Sequence, residues 1–328
     1  MGGGYYYLHD YAKAEEYYLK ALENDTQLFS QYPDAYRASL AMTQWNLMLL
    51  YGNMENWEKY DEMLDQALKN YKELALHNTR YQEDVEVLNH RKKRREGEKE
   101  ELANKQYDSA VSYYNNHDYA KAEEYYLKAL ENYTQLFTQN PDAYRTDLAI
   151  TQNNLGALYY YIHHYAKAEE YYLKALENKT RLFNQNPDAY RADLADTQDN
   201  LGYLYRNLHD YAKAEEYYLQ ALENRAQLFS QNPDAYRAIL TGSYNQLAYL
   251  YAHQNNFTKA LETIDKAIEL MPEEADYYDS KGEILLMKGD EQEALKLWQK
   301  VLELDPDFLQ THDSDLYKQL KEKGLITE

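Results

Sequence analysis

Cysteine is absent from this chain of 328 residues, which excludes disulfides and thiolate metal sites and fits a reducing compartment. No apolar run approaches the length that spans a bilayer. The opening MGGGYYYLHD lacks the basic and apolar regions of a secretory signal, and Tyr6 stands where a myristoylation motif needs Ser or Thr. A cytoplasmic location is expected. A lost leader is the alternative, because Tyr5 to Leu8 align with Tyr159 to Ile162, which puts Met1 inside a first helix without its front half. Positive charge is scarce as well: 35 Lys and Arg face 56 Asp and Glu, for a formal net charge of −21. Non-specific attraction to nucleic acid or anionic membrane is thereby disfavoured, and neutral or basic partners are favoured. No HExxH, phosphate-cradling glycine loop or nucleophile elbow occurs, and no carboxylate pair stands apart from the repeated KAEE faces. The expectation is a protein that is not an enzyme and needs no cofactor or metal.

What the chain has in abundance is repetition. The stretch His163 to Leu208 matches the preceding His117 to Ile162 at 35 of 46 positions. Five of the eleven differences, Ile150/Asp196, Asn153/Asp199, Ala157/Tyr203, Tyr160/Arg206 and Tyr161/Asn207, are spaced so as to share one face of a helix. The next copy holds Gly242, Asn245, Tyr249, Ala252 and His253 at these places, while Leu155, Leu201 and Leu247 on the other side stay the same. One face varies and the other repeats, as in a scaffold that displays a surface. A periodic sequence of this kind spreads its core along an axis.

The six prolines mark the breaks. Pro33 precedes a helix expected from about Asp34 to Tyr51, and Asn-Pro-Asp at residues 140–142, 186–188 and 232–234 supplies a cap, a first-turn proline and an acid suited to the helix dipole. Asp10 caps the helix before Pro33. Arg145, Arg191 and Arg237 follow each of the three Asp residues by three places, so local ion pairs are expected. Between Ala67 and Ala129 the period grows by 16 residues and takes in HRKKRREGEKEE. His90 to Arg95 could serve nuclear import or phosphate binding, but the acids that follow favour a solvated charged helix end or loop. From Ala260 to Ala294 and Pro272 to Pro306 the period falls to 34, and Asp313 to Lys323 is amphipathic, as a capping helix would be.

Gly282, Ala294, Trp298, Val301 and Pro306 resemble the tetratricopeptide repeat, and Gly156, Tyr159, Ala168, Tyr172 and Ala175 carry the same frame, as do Gly202, Tyr205, Ala214, Tyr218 and Ala221. The longer units look like the extended repeats of kinesin light chain and related bacterial proteins. The resemblance implies an all-α, α-α superhelix of about seven helix pairs with a C-terminal cap. It divides the chain into a truncated repeat (1–40), a divergent repeat with the charged insertion (41–102), three 46-residue repeats (103–240), two 34-residue repeats (241–308) and a capping helix with its tail (309–328). Small residues let the paired helices approach to about 8–10 Å while aromatics fill the gaps. Met48 and Tyr60 replace the expected Gly and Ala, so looser packing is expected near residues 48–101.

In such proteins the first helix of each pair lines a concave groove, and the five variable places match the family's ligand-facing positions. The groove is then expected to carry Met42, Trp45 and Leu49, then Tyr107, Val111 and Tyr114. Farther along come Asn153, Ala157 and Tyr160, then Asp199, Tyr203 and Arg206, then Asn245, Tyr249 and His253. Beside them run Asn46, Asp108, Asn154, Asn200 and Gln246, amides in the main, which either grip a peptide main chain or bond within the scaffold. A two-carboxylate clamp would need Lys at the places of Asn153, Asp199 and Asn245 and is not expected. The reading is a scaffold that binds a peptide or protein segment. Two rivals are self-association through the truncated N-terminal repeat and service as the sensor portion of a larger signalling or effector protein. His117, His163 and His209 recur at turns, too far apart to share a metal. Asn132, Asn178 and Asn256 head N-x-T sequons, but two of these lie mid-helix as by-products of the repeat, so glycosylation is not expected, and most of the 39 tyrosines hold core spacing.

Overall fold

The computed structural model describes residues 2–308 together with 318 and 321. Among them every regular element is helical, and the chain separates into two compact units, residues 1–102 and 103–328. The expected capping helix, Asp313 to Lys323, lies outside the described residues apart from Lys318 and Lys321.

Unit 1 contains α1 (Gly2–Tyr7), α2 (Tyr11–Gln31), α3 (Pro33–Asn53), α4 (Trp57–His77), a 3-10 turn at Thr79–Tyr81 and the first part of α5 (Gln82–Asn115). Unit 2 holds the rest of α5, then α6 (Tyr119–Gln139), α7 (Pro141–Tyr161), α8 (Tyr165–Gln185), α9 (Pro187–Asn207), α10 (Tyr211–Gln231) and α11 (Pro233–His253). It continues through the shorter α12 (Phe257–Leu270), α13 (Ala275–Lys288) and α14 (Glu291–Leu304). Successive helices pack as neighbours, the α-α solenoid arrangement expected from the repeats.

Local chemistry sets the joints. The prolines open α3, α7, α9 and α11, and the Asn140, Asn186 and Asn232 side chains accept the backbone N–H of the residue three places on. At the opposite turn a residue adopts positive φ (His9, Glu55, His117, His163, His209 or Asn255) and the next one starts the following helix. Asp10, Asn56, Asp118, Asp210 and Asn256 cap that helix through their side chains, whereas His164 makes no such bond. The recurring histidines are turn residues, each with Nδ1 in hydrogen-bond contact with the tyrosine hydroxyl two places on, at 2.8–3.0 Å.

The core is a strip of small and aromatic side chains between paired helices. Gly156 and Gly202 sit flat against the rings of Tyr172 and Tyr218, so close that a Cβ would lie 2.5 Å from ring carbons in each case. A second row ties one repeat to the next: Tyr51, Tyr159, Tyr205 and Tyr251 donate to Glu15, Glu123, Glu169 and Glu215 at 3.1, 2.7, 2.6 and 3.0 Å. Lys59, Lys167, Lys213 and Lys259 approach the same carboxylates and lie over the same rings.

Three local expectations need correction. Arg145 and Arg191 do not pair with the Asp three places before; they donate to Asn178 and Asn224 on the following helix at 3.0 and 3.1 Å, and those amides donate in turn to Gln152 and Gln198. Only Arg237 keeps its near acid, Asp234, at 3.7 Å. An exposed ion pair is worth little, whereas a guanidinium half-covered by packing needs a fixed acceptor. The basic insertion, secondly, is neither a loop nor a helix end: α5 runs through it unbroken, and Lys92 reaches Asp65 at 2.7 Å while Arg95 and Lys99 hold Asp61 at 3.2 and 2.8 Å. Acids on α4 supply these partners, while Glu98 within the run pairs with Arg94 at 2.9 Å. Packing around Met48, thirdly, is not loose, since Met48 and Leu88 are fully buried and Leu64 nearly so. The bulk has moved across the interface: Met48 and Leu64 replace the Gly156 and Tyr172 pairing, and Tyr60 is accommodated against Gly52.

Candidate functional site

The five variable places of each unit lie on α7, α9 and α11 and are mostly half-buried to exposed, while Leu155, Leu201 and Leu247 opposite them are buried. In unit 2 the strip begins on α5 with half-buried Tyr107, Val111 and Tyr114 and exposed Asp108. It passes through half-buried Asn153, Ala157 and Tyr160 on α7 to half-buried Asp199 and Arg206 and exposed Tyr203 on α9. On α11 Asn245, Gln246 and Tyr249 are half-buried and His253 is exposed. The equivalent places of unit 1 are an exposed Met42 and half-buried Trp45, Asn46 and Leu49 on α3, with Trp45 set edge-on to Tyr71 at 5.5 Å.

Aromatic contacts join the strip across repeats. Tyr160 meets Tyr203 at 5.4 Å, Tyr114 meets Tyr161 at 6.1 Å, and the Arg206 guanidinium lies 4.3 Å over the Tyr203 ring. Burial, with Tyr203 beside it, pushes the Tyr160 hydroxyl up to about 12. Tyr249 is raised too, by burial and by the bond it donates to Glu283.

The amides are engaged between repeats. Asn154 Nδ2 donates to the Tyr107 hydroxyl at 2.7 Å, Asn200 Nδ2 reaches Asn153 Oδ1 at 3.4 Å, and Thr197 donates to that same oxygen at 2.9 Å. The Gln246 amide end lies 2.7 and 3.2 Å from the Asp199 carboxylate oxygens, a contact that assigns its nitrogen to that side, since an amide oxygen there would face only acceptors. Among the described residues no donor reaches Asn154 Oδ1 or Asn200 Oδ1, and the enclosed Asn245 Oδ1 has none either. The row therefore spends N–H groups on the scaffold and keeps carbonyl oxygens unspent.

Beneath the strip lies a set of charged groups that no local sequence pattern marks. Tyr133, Lys179 and Arg225 occupy one place on α6, α8 and α10, a difference among the eleven but outside the five, and all three are buried. Arg225 sits 3.1 Å from Asp196 and 3.2 Å from Asp199, and donates to Ser243 at 2.7 Å. Burial raises the Asp199 carboxyl above the usual range despite Arg225. Lys179 donates to the Asp193 backbone carbonyl at 3.0 Å, and burial lowers its ammonium. The signal in the sequence is one further change at this place between successive copies, Tyr133 to Lys179 to Arg225, which only the fold sets against the acids of the preceding copy. Among the described residues no group of three His, Asp or Glu is arranged to hold a metal, and no helix is long and apolar enough to cross a membrane.

The tetratricopeptide repeat model matches residues 101–181, and a model for the auxiliary subunit of N-terminal acetyltransferase A matches residues 196–307. Among curated proteins none has a matching sequence. Solved structures with a similar fold include BtubC (BKLC) from P. vanneervenii, 21% identical, covering 78% of this chain and 88% of that one at a TM-score of 0.43. YrrB, described as a tetratricopeptide protein with an unusual peptide-binding site, is 20% identical over 62% of this chain and 86% of its own, at 0.41. A Podosopora anserina protein with nearly identical repeats, named for kinesin light chain, is 17% identical over 66% and 98%, at 0.47.

Proposed function

We propose, from the premise that this chain is a tetratricopeptide repeat protein, that it is a non-enzymatic scaffold whose variable helix face takes a peptide or protein segment of neutral or basic character. The observation that carries this reading is the pairing of sequence change with exposure: at the five places that vary together on α7, α9 and α11, every occupant except Ala252 is half-buried or exposed. Tyr203 and Arg206 offer a flat aromatic and a cation to a ligand side chain. The unspent oxygens of Asn154 and Asn200 can accept from its backbone N–H groups. Negative charge, −21 over the chain, favours basic segments at the encounter stage.

A displayed library of short peptides selected on the full chain tests this. Selected binders are expected to lose affinity for a Tyr203→Ala, Arg206→Ala double variant and to keep it for Glu177→Ala, an exposed residue on α8. Equal binding to both variants would place the ligand elsewhere.

A further inference from the structure

In unit 1 the middle of α5 turns arginines into a cleft of about 250 Å³, walled on the other sides by Leu49 and Gly52 from the end of α3 and Trp57 from the start of α4. The three arginines are committed to different degrees. Arg95 is held by Asp61 at 3.2 Å and stacks over Trp57 at 4.5 Å. Arg94 pairs with Glu98 at 2.9 Å on the surface, with 75% of its side chain exposed. Arg91 is half-buried and has no ion pair or hydrogen bond among the described residues. Among the three, Arg91 is therefore the guanidinium that a ligand can engage without breaking a bond the described residues already make.

Charge narrows the ligand. Three guanidinium groups against the single carboxylate of Glu98 leave two positive charges on the lining, and Asp61 behind Arg95 is already shared with Lys99. A phosphate monoester carries about −1.5 to −2 at neutral pH and accepts bidentate guanidinium bonds, whereas a lone carboxylate would neutralise only half of the excess. The 41% exposed Trp57, with Leu49, provides an apolar wall for the carbon part of the same side chain. We propose that this cleft binds a phosphorylated, preferably aromatic, side chain of a partner polypeptide. The site stands on unit 1 alone and does not depend on the reading of the α7, α9 and α11 face, so one can fail while the other holds.

The probes are a short Gly/Ser peptide with a central phosphotyrosine, its unphosphorylated twin, and vesicles containing phosphatidic acid, each titrated calorimetrically into the full chain. The phosphopeptide is expected to bind at least roughly tenfold more tightly than its twin, and Arg91→Ala to remove most of that difference, with helical content unchanged because Arg91 makes no hydrogen bond or ion pair among the described residues. Arg91→Lys should restore part of it, as a point charge without the fork. Equal binding of the two peptides, no binding of either, full binding by Arg91→Ala, or binding to vesicles but not to the phosphopeptide would each overturn the proposal. Arg94→Ala is a second variant that should weaken binding, its pair with Glu98 being exposed and worth little to stability.

Discussion

Replacing glycine by alanine should have opposite signs at two places in this one scaffold. Gly202 and Gly242 both lie within helices, where alanine is intrinsically better by about 0.8–1 kcal/mol. At Gly242 a Cβ would meet nothing within 4 Å, so the intrinsic gain should appear nearly whole. At Gly202 it would lie 2.5, 2.7 and 2.9 Å from Cδ1, Cε1 and Cγ of Tyr218. These atoms lie in the ring near its root, and Tyr218 is 2% exposed, so the ring cannot swing clear and either the tyrosine or the backbone of α9 must shift. Overpacking of this kind costs about 1–3 kcal/mol, which outweighs the propensity gain over most of its range. Gly242→Ala should thus stabilise by somewhat under 1 kcal/mol while Gly202→Ala destabilises by up to about 2, a gap of about 1–3 kcal/mol. Urea unfolding followed by circular dichroism measures the gap, and hydrogen exchange in α9 and α10 localises it if repeats unfold separately. Should the two variants shift the midpoint upward by the same amount, the close helix contact at Gly202 is not what holds these repeats together.

Tyr205→Phe removes the hydroxyl that donates to Glu169 and leaves that carboxylate with Lys213 at 3.9 Å; a loss of about 1 kcal/mol is expected in the same assay, and no loss would mean that the bridge between repeats is idle. Lys179→Met exchanges a buried ammonium for a side chain of similar length at a place that Tyr133 shows can be uncharged, so stability at neutral pH should hold or rise; a clear fall would show that its bond to the Asp193 carbonyl outweighs the burial of charge. Alkali should unfold the chain. The hydroxyls of Tyr71, Tyr160 and Tyr251 are pushed up to about 12 from 10, chiefly by burial, so the folded state holds them neutral. Their contribution is complete below pH about 10 and is lost as pH climbs through about 12; a urea midpoint that stays constant across that window, with tyrosinate absorbance rising, would contradict it.

How much of this is legible in advance depends on the range of the interactions. Caps, prolines and the recurring histidine turns are decided within four residues, and each can be read from the order of side chains alone. The repeat itself tells which faces pair, because a stripe kept constant through successive copies must meet a constant partner. Arg145 departs from the expected ion pair because Asp142 is near in sequence while Asn178, 33 residues on, is near in space. The basic insertion departs from expectation for the same reason, its neutralising acids Asp61 and Asp65 lying on α4. Lys179 and Arg225 are marked in the sequence only as a place that changes between copies, since no local pattern distinguishes a cation on a solvated face from one pressed against the next helix.

The sequence by itself therefore determined the helices, their joints, the period and the face that varies, since these follow from backbone capping and from periodicity along one chain. Only the tertiary structure decided which charges are buried, which amide nitrogens are already spent, and which arginine beside Trp57 has no ion pair or hydrogen bond among the described residues. Those outcomes depend on distances between residues tens of places apart, and on how much solvent the intervening packing has removed.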